Sequence, residues 1–236
     1  MIPLLYTQDF TPHNPNQKLK FEGNWDIEVN EGDRICIYGD SGSGKSVFLK
    51  SLTLLFQPNT GTVYFQGLQV TNKDILSYRS KVIYLQQVPQ FGDDTIAEEF
   101  NRVFSYKIYK NNHVHLWSLA QYFVKMFGLD QDVFACKAYE LSGGQKQKIH
   151  LILGLSLDPH ILILDEPTAS LDDKSTFLIE QLMQDWVMET RKKRAYLWVS
   201  HQPAQRKRVG KKYFQVVEGK LLASEASEVS YSSVSS

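Results

Sequence analysis

Short apolar runs, separated by turns and by longer amphipathic segments, predict a mixed α/β chain. Residues 25–29 alternate apolar and polar side chains, as a half-buried strand does. The runs at 34–38 and 161–164 are mostly or wholly apolar, which is typical of strands buried on both faces of a parallel sheet. Residues 46–52 and 174–192 have the spacing of helices. We therefore expect an α/β fold with a mainly parallel central sheet and an antiparallel β part near the N-terminus.

The pattern changes between residues 91 and 142, where helices replace strands. Residues 97–104 and 116–127 have helical spacing and are joined by the polar stretch 107–113. We interpret this region as a helical subdomain inserted into one domain that spans residues 1–226. Residues 227–236 are rich in serine and have no periodicity, which is typical of a disordered tail.

The composition is that of a soluble globular protein. Of 236 residues, 42% are hydrophobic and 22% are charged, and 26 Lys and Arg balance 26 Asp and Glu. This balance gives no electrostatic case for binding nucleic acid. No apolar run reaches the roughly 18 residues of a membrane-spanning helix, and the N-terminus has no signal-peptide pattern. We expect a cytoplasmic protein that reaches any membrane through a partner.

A glycine loop (residues 39–46) joins a predicted strand to a predicted helix, with the sequence Gly39-Asp40-Ser41-Gly42-Ser43-Gly44-Lys45-Ser46. Glycines let successive backbone N–H groups converge on a triphosphate, and the helix N-terminus adds a positive dipole end. Lys45 supplies a cation for the β- and γ-phosphates, and the Ser46 hydroxyl is suited to bind Mg²⁺. The loop therefore predicts a site for a nucleoside triphosphate.

Two carboxylates, Asp165 and Glu166, end the most apolar predicted strand. The carboxyl ends of parallel strands face the crevice where ligands bind. We expect Asp165 to hold Mg²⁺ through its water shell and Glu166 to deprotonate the attacking water. The alternative is that these carboxylates only cap the turn after the strand. This alternative is much less favoured because the glycine loop predicts a nucleotide site in the same chain.

A signature segment (residues 141–145) opens another predicted helix with the sequence Leu141-Ser142-Gly143-Gly144-Gln145. Ser142 is a good N-cap, and the two glycines expose N–H groups at the positive end of the helix. This is a second anion site without a lysine of its own. An ordinary capped helix is the alternative, and it would explain Ser142 alone. A phosphate-binding segment that closes on the nucleotide of another copy explains Ser142 and the glycines together.

The order of these segments resembles the ATP-binding subunit of ABC (ATP-binding cassette) systems. Residues 141–145 look like the signature motif of that family, and the resemblance covers roughly residues 4–222. It implies a P-loop NTPase core, ATP and Mg²⁺ as cofactors, and a homodimer in the ATP-bound state. It also implies that a separate integral membrane permease is the partner.

The resemblance assigns further roles. Gln87 matches the lid glutamine that senses Mg²⁺ and the γ-phosphate, with Gln86 as the alternative register, and His201 matches the switch histidine. Asp172 matches the loop that communicates across the dimer. The predicted catalytic residues are thus Glu166, His201 and Gln87, and the predicted metal ligands are Ser46, Gln87 and Asp165. The predicted nucleotide-binding residues are those of the glycine loop together with Ser142, Gly143, Gly144, Gln145 and Asp172.

Three features leave alternatives open. The aromatic residue that stacks on adenine in the family is Phe10 or His13 here. The basic residues at 191–194 and 206–212 are either solvated helix ends or contacts for anionic lipid headgroups. The aromatic side chains of the helical subdomain either pack in its core or form a groove for a permease helix; they are Tyr106, Tyr109, Trp117, Tyr122 and Phe123.

We expect an ATPase subunit that closes head to tail with a second copy around two ATP molecules and drives a separate permease at the inner face of the cell membrane. Residues 89–93 and 197–201 resemble small bacterial ATPases paired with iron exporters. The alternative is a soluble ABC ATPase acting on nucleic acid or ribosomes, although such relatives carry two cassettes, a long coiled coil or zinc-binding inserts. A small-molecule kinase would leave the signature segment unexplained.

Overall fold

The computed structural model describes residues 2–13, 19 and 21–225. Its strands are β1 (Leu5–Thr11), β2 (Glu28–Val29), β3 (Arg34–Gly39), β4 (Thr60–Phe65), β5 (Leu68–Gln69), β6 (Val82–Leu85), β7 (Ile161–Asp165), β8 (Ala195–Val199), β9 (Lys212–Val217) and β10 (Lys220–Ser224). Its helices are α1 (Lys45–Leu52), α2 (Ile75–Arg79), α3 (Ile96–Phe104), α4 (His113–Met126), α5 (Gly143–Ser156), α6 (Asp173–Met188) and α7 (Pro203–Val209). Short 3₁₀ helices cover Lys110–Asn112, Gln131–Ala135 and Ala138–Glu140. The predicted tail at 227–236 lies outside the described residues.

The central sheet has the strand order β10-β9-β3-β8-β7-β6. Every neighbouring pair is parallel except the β9–β10 hairpin at the edge. All residues of β7 and β8 are buried, as expected for strands covered by helices on both faces. The predicted fold class, with its mainly parallel central sheet, is confirmed.

A second sheet, with the order β2-β1-β4-β5, is antiparallel and packs near the N-terminus. The strand predicted at 25–29 forms only at its end, as β2. The Asp26 carboxylate explains the difference, because it accepts hydrogen bonds from the backbone N–H groups of Asp9 (3.1 Å) and Phe10 (3.0 Å). These side-chain bonds replace a strand ladder where β1 carries a bulge between Gln8 and Thr11.

The helices α3 and α4 follow β6 and precede β7, within the region predicted as an inserted subdomain. Thr95 caps α3 through a capping box with Glu98. The rings of Phe100 and Trp117 both pack against Phe134, with centroids 5.6 and 5.1 Å apart respectively. Of the two alternatives for the subdomain aromatics, core packing or a groove for a permease helix, core packing therefore accounts for Trp117. No helix within the described ranges is both long enough and apolar enough to cross a membrane.

His150 on α5 gives the fold a sensitivity to acid. Its ring packs edge-on against Phe91, and Nε2 has no hydrogen-bond partner among the described residues. Burial lowers the pKa of His150 from 6.5 to about 4. The folded protein therefore keeps the imidazole neutral, whereas the unfolded chain takes up a proton below pH 6.5.

We predict that this difference lowers the free energy of unfolding by up to about 3 kcal/mol as the pH falls from 6.5 to 4. Urea denaturation at pH 7 and pH 4.5 measures the loss. The His150→Leu variant should lose correspondingly less than wild type over this interval, because it has no imidazole to protonate. His115→Leu, which changes an exposed histidine of α4, should match wild type. An equal loss in His150→Leu and wild type would contradict the prediction.

Candidate functional site

The predicted site residues follow the carboxyl ends of four parallel strands. The glycine loop follows β3, Gln87 follows β6, Asp165 and Glu166 end β7, and His201 follows β8. Since β3, β8, β7 and β6 are neighbours in the sheet, these residues meet at one edge.

The glycine loop turns sharply into α1, which begins at Lys45. Gly39 has φ 148°, and a Cβ atom there would collide with the Val216 carbonyl, so only glycine fits. The Lys45 ammonium donates to the carbonyl oxygens of Gly39 (2.9 Å) and Asp40 (2.7 Å). Burial lowers the pKa of Lys45, and the charges of Glu166 and Asp165 act in the opposite direction. The Lys45 cation is thus held inside the loop, whereas the Asp40 carboxylate in the same loop is exposed to solvent.

Glu166 is held between two side chains from neighbouring strands. Gln87 Nε2 donates to Glu166 Oε2 at 3.1 Å, and His201 Nε2 lies 2.8 Å from Glu166 Oε1. The backbone of Glu166 has φ 49°, which is uncommon for a non-glycine residue. Of the two glutamines considered, the structure therefore brings Gln87 to the carboxylate.

Asp165 is 4% exposed, and its Oδ2 accepts a hydrogen bond from the Tyr84 hydroxyl at 2.8 Å. Burial and the neighbouring Asp165 charge raise the pKa of Tyr84, so the phenol stays protonated and donates. Sequence analysis missed Tyr84, because a tyrosine in an apolar strand carries no chemical signal until its neighbour is known.

A cavity of about 210 Å³ brings the predicted groups together. It is lined by Leu19, Ser41, Gly42, Gly44, Lys45, Ser46, Val47, Gln87, Glu166 and His201. The chain thus assembles a cation (Lys45), a hydroxyl (Ser46) and a carboxylate (Glu166) around one space from segments about 120 positions apart.

The signature segment lies elsewhere on the surface. Ser142 caps α5 by accepting from the Gln145 N–H (3.2 Å), while Gln145 Oε1 accepts from the Ser142 N–H (2.9 Å). Ser142, Gly143 and Gln145 are exposed, and they do not line the cavity described above. Within one chain, the structure therefore does not bring this segment to the glycine loop.

Asp172 caps α6 close to the signature segment. Its carboxylate accepts from the Ser175 N–H (2.8 Å) and hydroxyl (3.1 Å), and these bonds lower its pKa. A Cβ atom on Gly144 would lie 3.3 Å from the Ser170 carbonyl, so the two segments are in near contact. Asp172 and the signature segment thus share one face of the molecule.

A buried polar cluster behind His201 was not predicted. Gln205 Oε1 accepts from the Ser200 hydroxyl (2.6 Å), and Gln205 Nε2 donates to Thr168 Oγ1 (2.9 Å) and Glu180 Oε1 (3.0 Å). The Arg206 guanidinium donates to the carbonyl oxygens of Ser200 and His201. These bonds hold the backbone on either side of His201 in place. No signal in the sequence pointed to them, because the partners come from α6, α7 and two loops.

The interpretation of the basic clusters as solvated helix ends is wrong for two of their arginines, Arg194 and Arg206. Arg194 is 8% exposed and pairs with Asp158 (2.7 Å) and Glu189, and its guanidinium lies over the Trp186 ring. Arg206 is 3% exposed, and Arg208 pairs with the buried Glu180. Burial keeps Arg194 and Arg206 from both solvent and lipid, whereas the Arg208 side chain stays 34% exposed.

Phe10 is wrong as the adenine-stacking residue. It is 0% exposed and packs edge-on against Phe48 in the core, with ring centroids 6.2 Å apart. His13 packs beside Phe56 and does not line the cavity over the glycine loop. Leu19 and Phe21, which come later in the chain, lie beside the glycine loop instead. A Cβ atom on Gly44 would collide with the Phe21 ring and contact Leu19.

An apolar groove of about 250 Å³ lies on the other side of β6, between the core and the segment after α3. We call it the subdomain groove. It is lined by Thr53, Leu55, Arg79, Val82, Ile83, Tyr84, Val103, Tyr106, Tyr109 and Leu157. Two of the predicted groove aromatics, Tyr106 and Tyr109, are therefore in its wall.

Comparison with known proteins places these features in one family. The model of the family described as ABC transporter matches residues 23–169. The probable iron export ATP-binding protein FetA of Escherichia coli K12 is 33% identical over 182 residues, which are 77% of this chain and 78% of FetA. The ATP-dependent permease MDL1 of Candida albicans is 34% identical over 197 residues, which are 81% of this chain but only 28% of MDL1.

The solved structures agree on the fold. The dimeric post-hydrolysis state of the ATP-binding cassette MJ0796, bound to ADP and Pi, has a TM-score of 0.78 and 22% identity, covering 94% of this chain and 98% of that chain. The family match includes the glycine loop, the signature segment and the Asp165-Glu166 pair, and it extends over more than half of the chain. This protein therefore belongs to the ABC transporter family, as one of its ATP-binding and ATP-hydrolysing cassettes.

Proposed function

We propose that this chain is the ATPase subunit of an ABC transporter, in which two copies close head to tail around two ATP molecules and drive a separate membrane permease. One observation carries the proposal: the N-terminus of α5, built to bind an anion, is exposed to solvent and does not line the cavity of its own glycine loop. A second copy supplies the phosphate that this helix end is suited to bind.

The glycine loop binds the triphosphate of ATP. Its backbone N–H groups and the positive end of α1 surround the phosphates. The Lys45 ammonium, bonded to the Gly39 and Asp40 carbonyls, exchanges those partners for β- and γ-phosphate oxygens. Burial lowers the pKa of Lys45, and the charges of Glu166 and Asp165 oppose that shift.

The donor set beside the loop fits Mg²⁺, which prefers hard oxygen ligands. The Ser46 hydroxyl, the Asp165 carboxylate and the Gln87 amide oxygen would hold it, directly or through its water shell. When bound, the ion neutralises charge that develops on the β- and γ-phosphates. The remaining steps belong to side chains of this protein.

Glu166 acts as the general base for the attacking water. Its two oxygens are held by Gln87 and His201 in a strained backbone conformation, so the carboxylate is positioned before the water arrives. Arg206 holds the backbone of His201 by donating to its carbonyl oxygen. We expect the His201 ring to contact the γ-phosphate of bound ATP. Asp172, beside the signature segment, relays the state of one copy to the other.

The subdomain groove receives a helix of the permease. Its wall is mostly apolar, and two exposed apolar side chains lie close in sequence to its lining residues Tyr106 and Tyr109, at Ile108 (47% exposed) and Val114 (83% exposed). An amphipathic helix lays its apolar face into such a groove. The subunit is then peripheral on the inner face of the membrane. The relative named for iron export suggests a metal as cargo.

We predict that the chain, purified from detergent-solubilised membranes of its own cells, brings with it one integral membrane protein. Tyr106→Glu places a charge in the groove wall and should abolish this association, because it buries an unpaired carboxylate against apolar surface. Tyr122→Glu is the matched control, since Tyr122 is similarly exposed (53% against 55% for Tyr106) and lies outside the groove.

Mass spectrometry and quantitative blotting measure the ratio of the two chains. Recovery of ribosomes or of salt-sensitive nucleic acid in place of a membrane protein would favour the soluble alternative. Equal association of both glutamate variants would contradict the groove as the docking site.

A further inference from the structure

Tyr84 contacts two sites that are otherwise separate. Its hydroxyl donates to Asp165 Oδ2 at 2.8 Å. Its side chain also lines the subdomain groove on the other side of β6. One residue thus joins the predicted metal ligand Asp165 to the wall of the groove.

The strand register explains how Tyr84 reaches Asp165. The strands β6 and β7 are parallel, and Tyr84 is opposite Ile163. Because side chains two positions apart in a strand point to the same face, Asp165 lies on the face of Tyr84, one step further along. The Lys50 ammonium lies 5.8 Å from the centre of the Tyr84 ring and adds a contact from α1. Tyr84 is therefore contacted from two other elements, β7 and α1.

A carboxylate with one oxygen held by a fixed donor has its orientation set. The bond from Tyr84 occupies Oδ2, so the rest of the Asp165 carboxylate can face the water shell of a metal ion. Hydrogen-bond partners of this kind set the geometry of metal-binding groups, and their loss costs about 10- to 100-fold in metal affinity. Tyr84 also precedes the predicted metal ligand Gln87 by three residues on the same segment.

We propose that Tyr84 is a positioning residue of the Mg²⁺–ATP site, which orients Asp165 through its hydroxyl and anchors that carboxylate to the wall of the subdomain groove. This inference rests on the proposed function, because it concerns the metal site that accompanies ATP.

Tyr84→Phe removes only the hydroxyl and keeps the ring in the groove. The test is the binding of a fluorescent, non-hydrolysable ATP analogue, measured in EDTA and then during titration with Mg²⁺. We expect the half-saturating Mg²⁺ concentration to rise about 10-fold in Tyr84→Phe, with unchanged affinity for the analogue in EDTA. Tyr122→Phe is the control: it removes a hydroxyl from an exposed tyrosine outside the groove and should match wild type in both measurements.

The outcomes separate this inference from the proposed function. If wild type responds to Mg²⁺ and Tyr84→Phe responds at the same concentration, Tyr84 does not position the metal site, although the proposed function stands. If Tyr84→Phe weakens binding of the analogue in EDTA as much as in Mg²⁺, Tyr84 acts on the conformation of the glycine loop and not on the metal site. That result overturns the inference. If wild type itself shows no response to Mg²⁺, the proposed metal site is wrong.

Discussion

Glu166→Gln is expected to lower kcat for ATP hydrolysis by about 10²- to 10⁴-fold, with ATP affinity nearly unchanged. The substitution removes the base but keeps the size of the side chain and an oxygen that can accept from Gln87 or His201. Because the change falls on kcat, it identifies an interaction made in the transition state. Steady-state hydrolysis and equilibrium binding of ATP, measured on the same preparation, check both parts.

The chain offers a close control for this variant. Glu218, in the turn between β9 and β10, is exposed and has the same backbone φ of 49° as Glu166. Glu218→Gln therefore makes the same chemical change at the same unusual conformation, away from the site, and should keep normal turnover. A Glu166→Gln protein that hydrolyses ATP within about threefold of wild type would show that another group is the base.

The second large effect is expected at Ser142, on the face that a neighbouring copy would complete. Asp is as good an N-cap as Ser, so Ser142→Asp should keep α5 and the stability of the fold. It also places a negative charge where the proposed dimer brings the γ-phosphate of the other copy. We expect turnover to fall by at least about 10²-fold, the size of effect seen when one donor to a developing charge is lost.

Binding and assembly should respond differently in this variant. One chain binds ATP at its glycine loop, which Ser142 does not line, so the affinity of the monomer for ATP should be unchanged. In the Glu166→Gln background with ATP, sedimentation should show a dimer, and adding Ser142→Asp should return it to a monomer. Ser118→Asp, at an exposed serine of α4, is the control for an added charge.

The contrary results are equally clear. A Ser142→Asp protein with normal turnover would mean that the signature segment does not complete the reaction site. A specific activity that stays constant on dilution to separated monomers would lead to the same conclusion. Either result would remove the head-to-tail dimer from the proposed function while leaving the Glu166 prediction intact.

Sequence patterns predicted β3 and β7 of the central sheet, because these strands are short, apolar and followed by turns. They were less accurate where side chains replace the backbone ladder, as Asp26 does beside β1. The interpretation of the basic clusters was wrong for a related reason. Charge runs are usually solvated, and only the contacts of Arg194 with Asp158 and of Arg206 with the Ser200 and His201 carbonyls show which arginines are buried.

The adenine-stacking assignment shows the same limit. Phe10 was chosen by type and approximate distance from the glycine loop, but β1 directs its ring into the core. The bulge after Gln8 shifts the register of β1, and a shift by one residue exchanges the buried and exposed faces of a strand. The described residues that reach the glycine loop are Leu19 and Phe21, and no periodicity marks them.

The sequence by itself determined the chemistry available to this protein: the glycine loop, the Asp165-Glu166 pair and the capped helix at Ser142 are local segments whose residue order is their signal. Only the tertiary structure decided which groups meet. It brought Gln87 and His201 to Glu166, brought Tyr84 to Asp165, and left Ser142 facing solvent. The physical reason is that local motifs depend on neighbours along the chain, whereas these contacts depend on strand order and register, which are set by packing of the whole sheet.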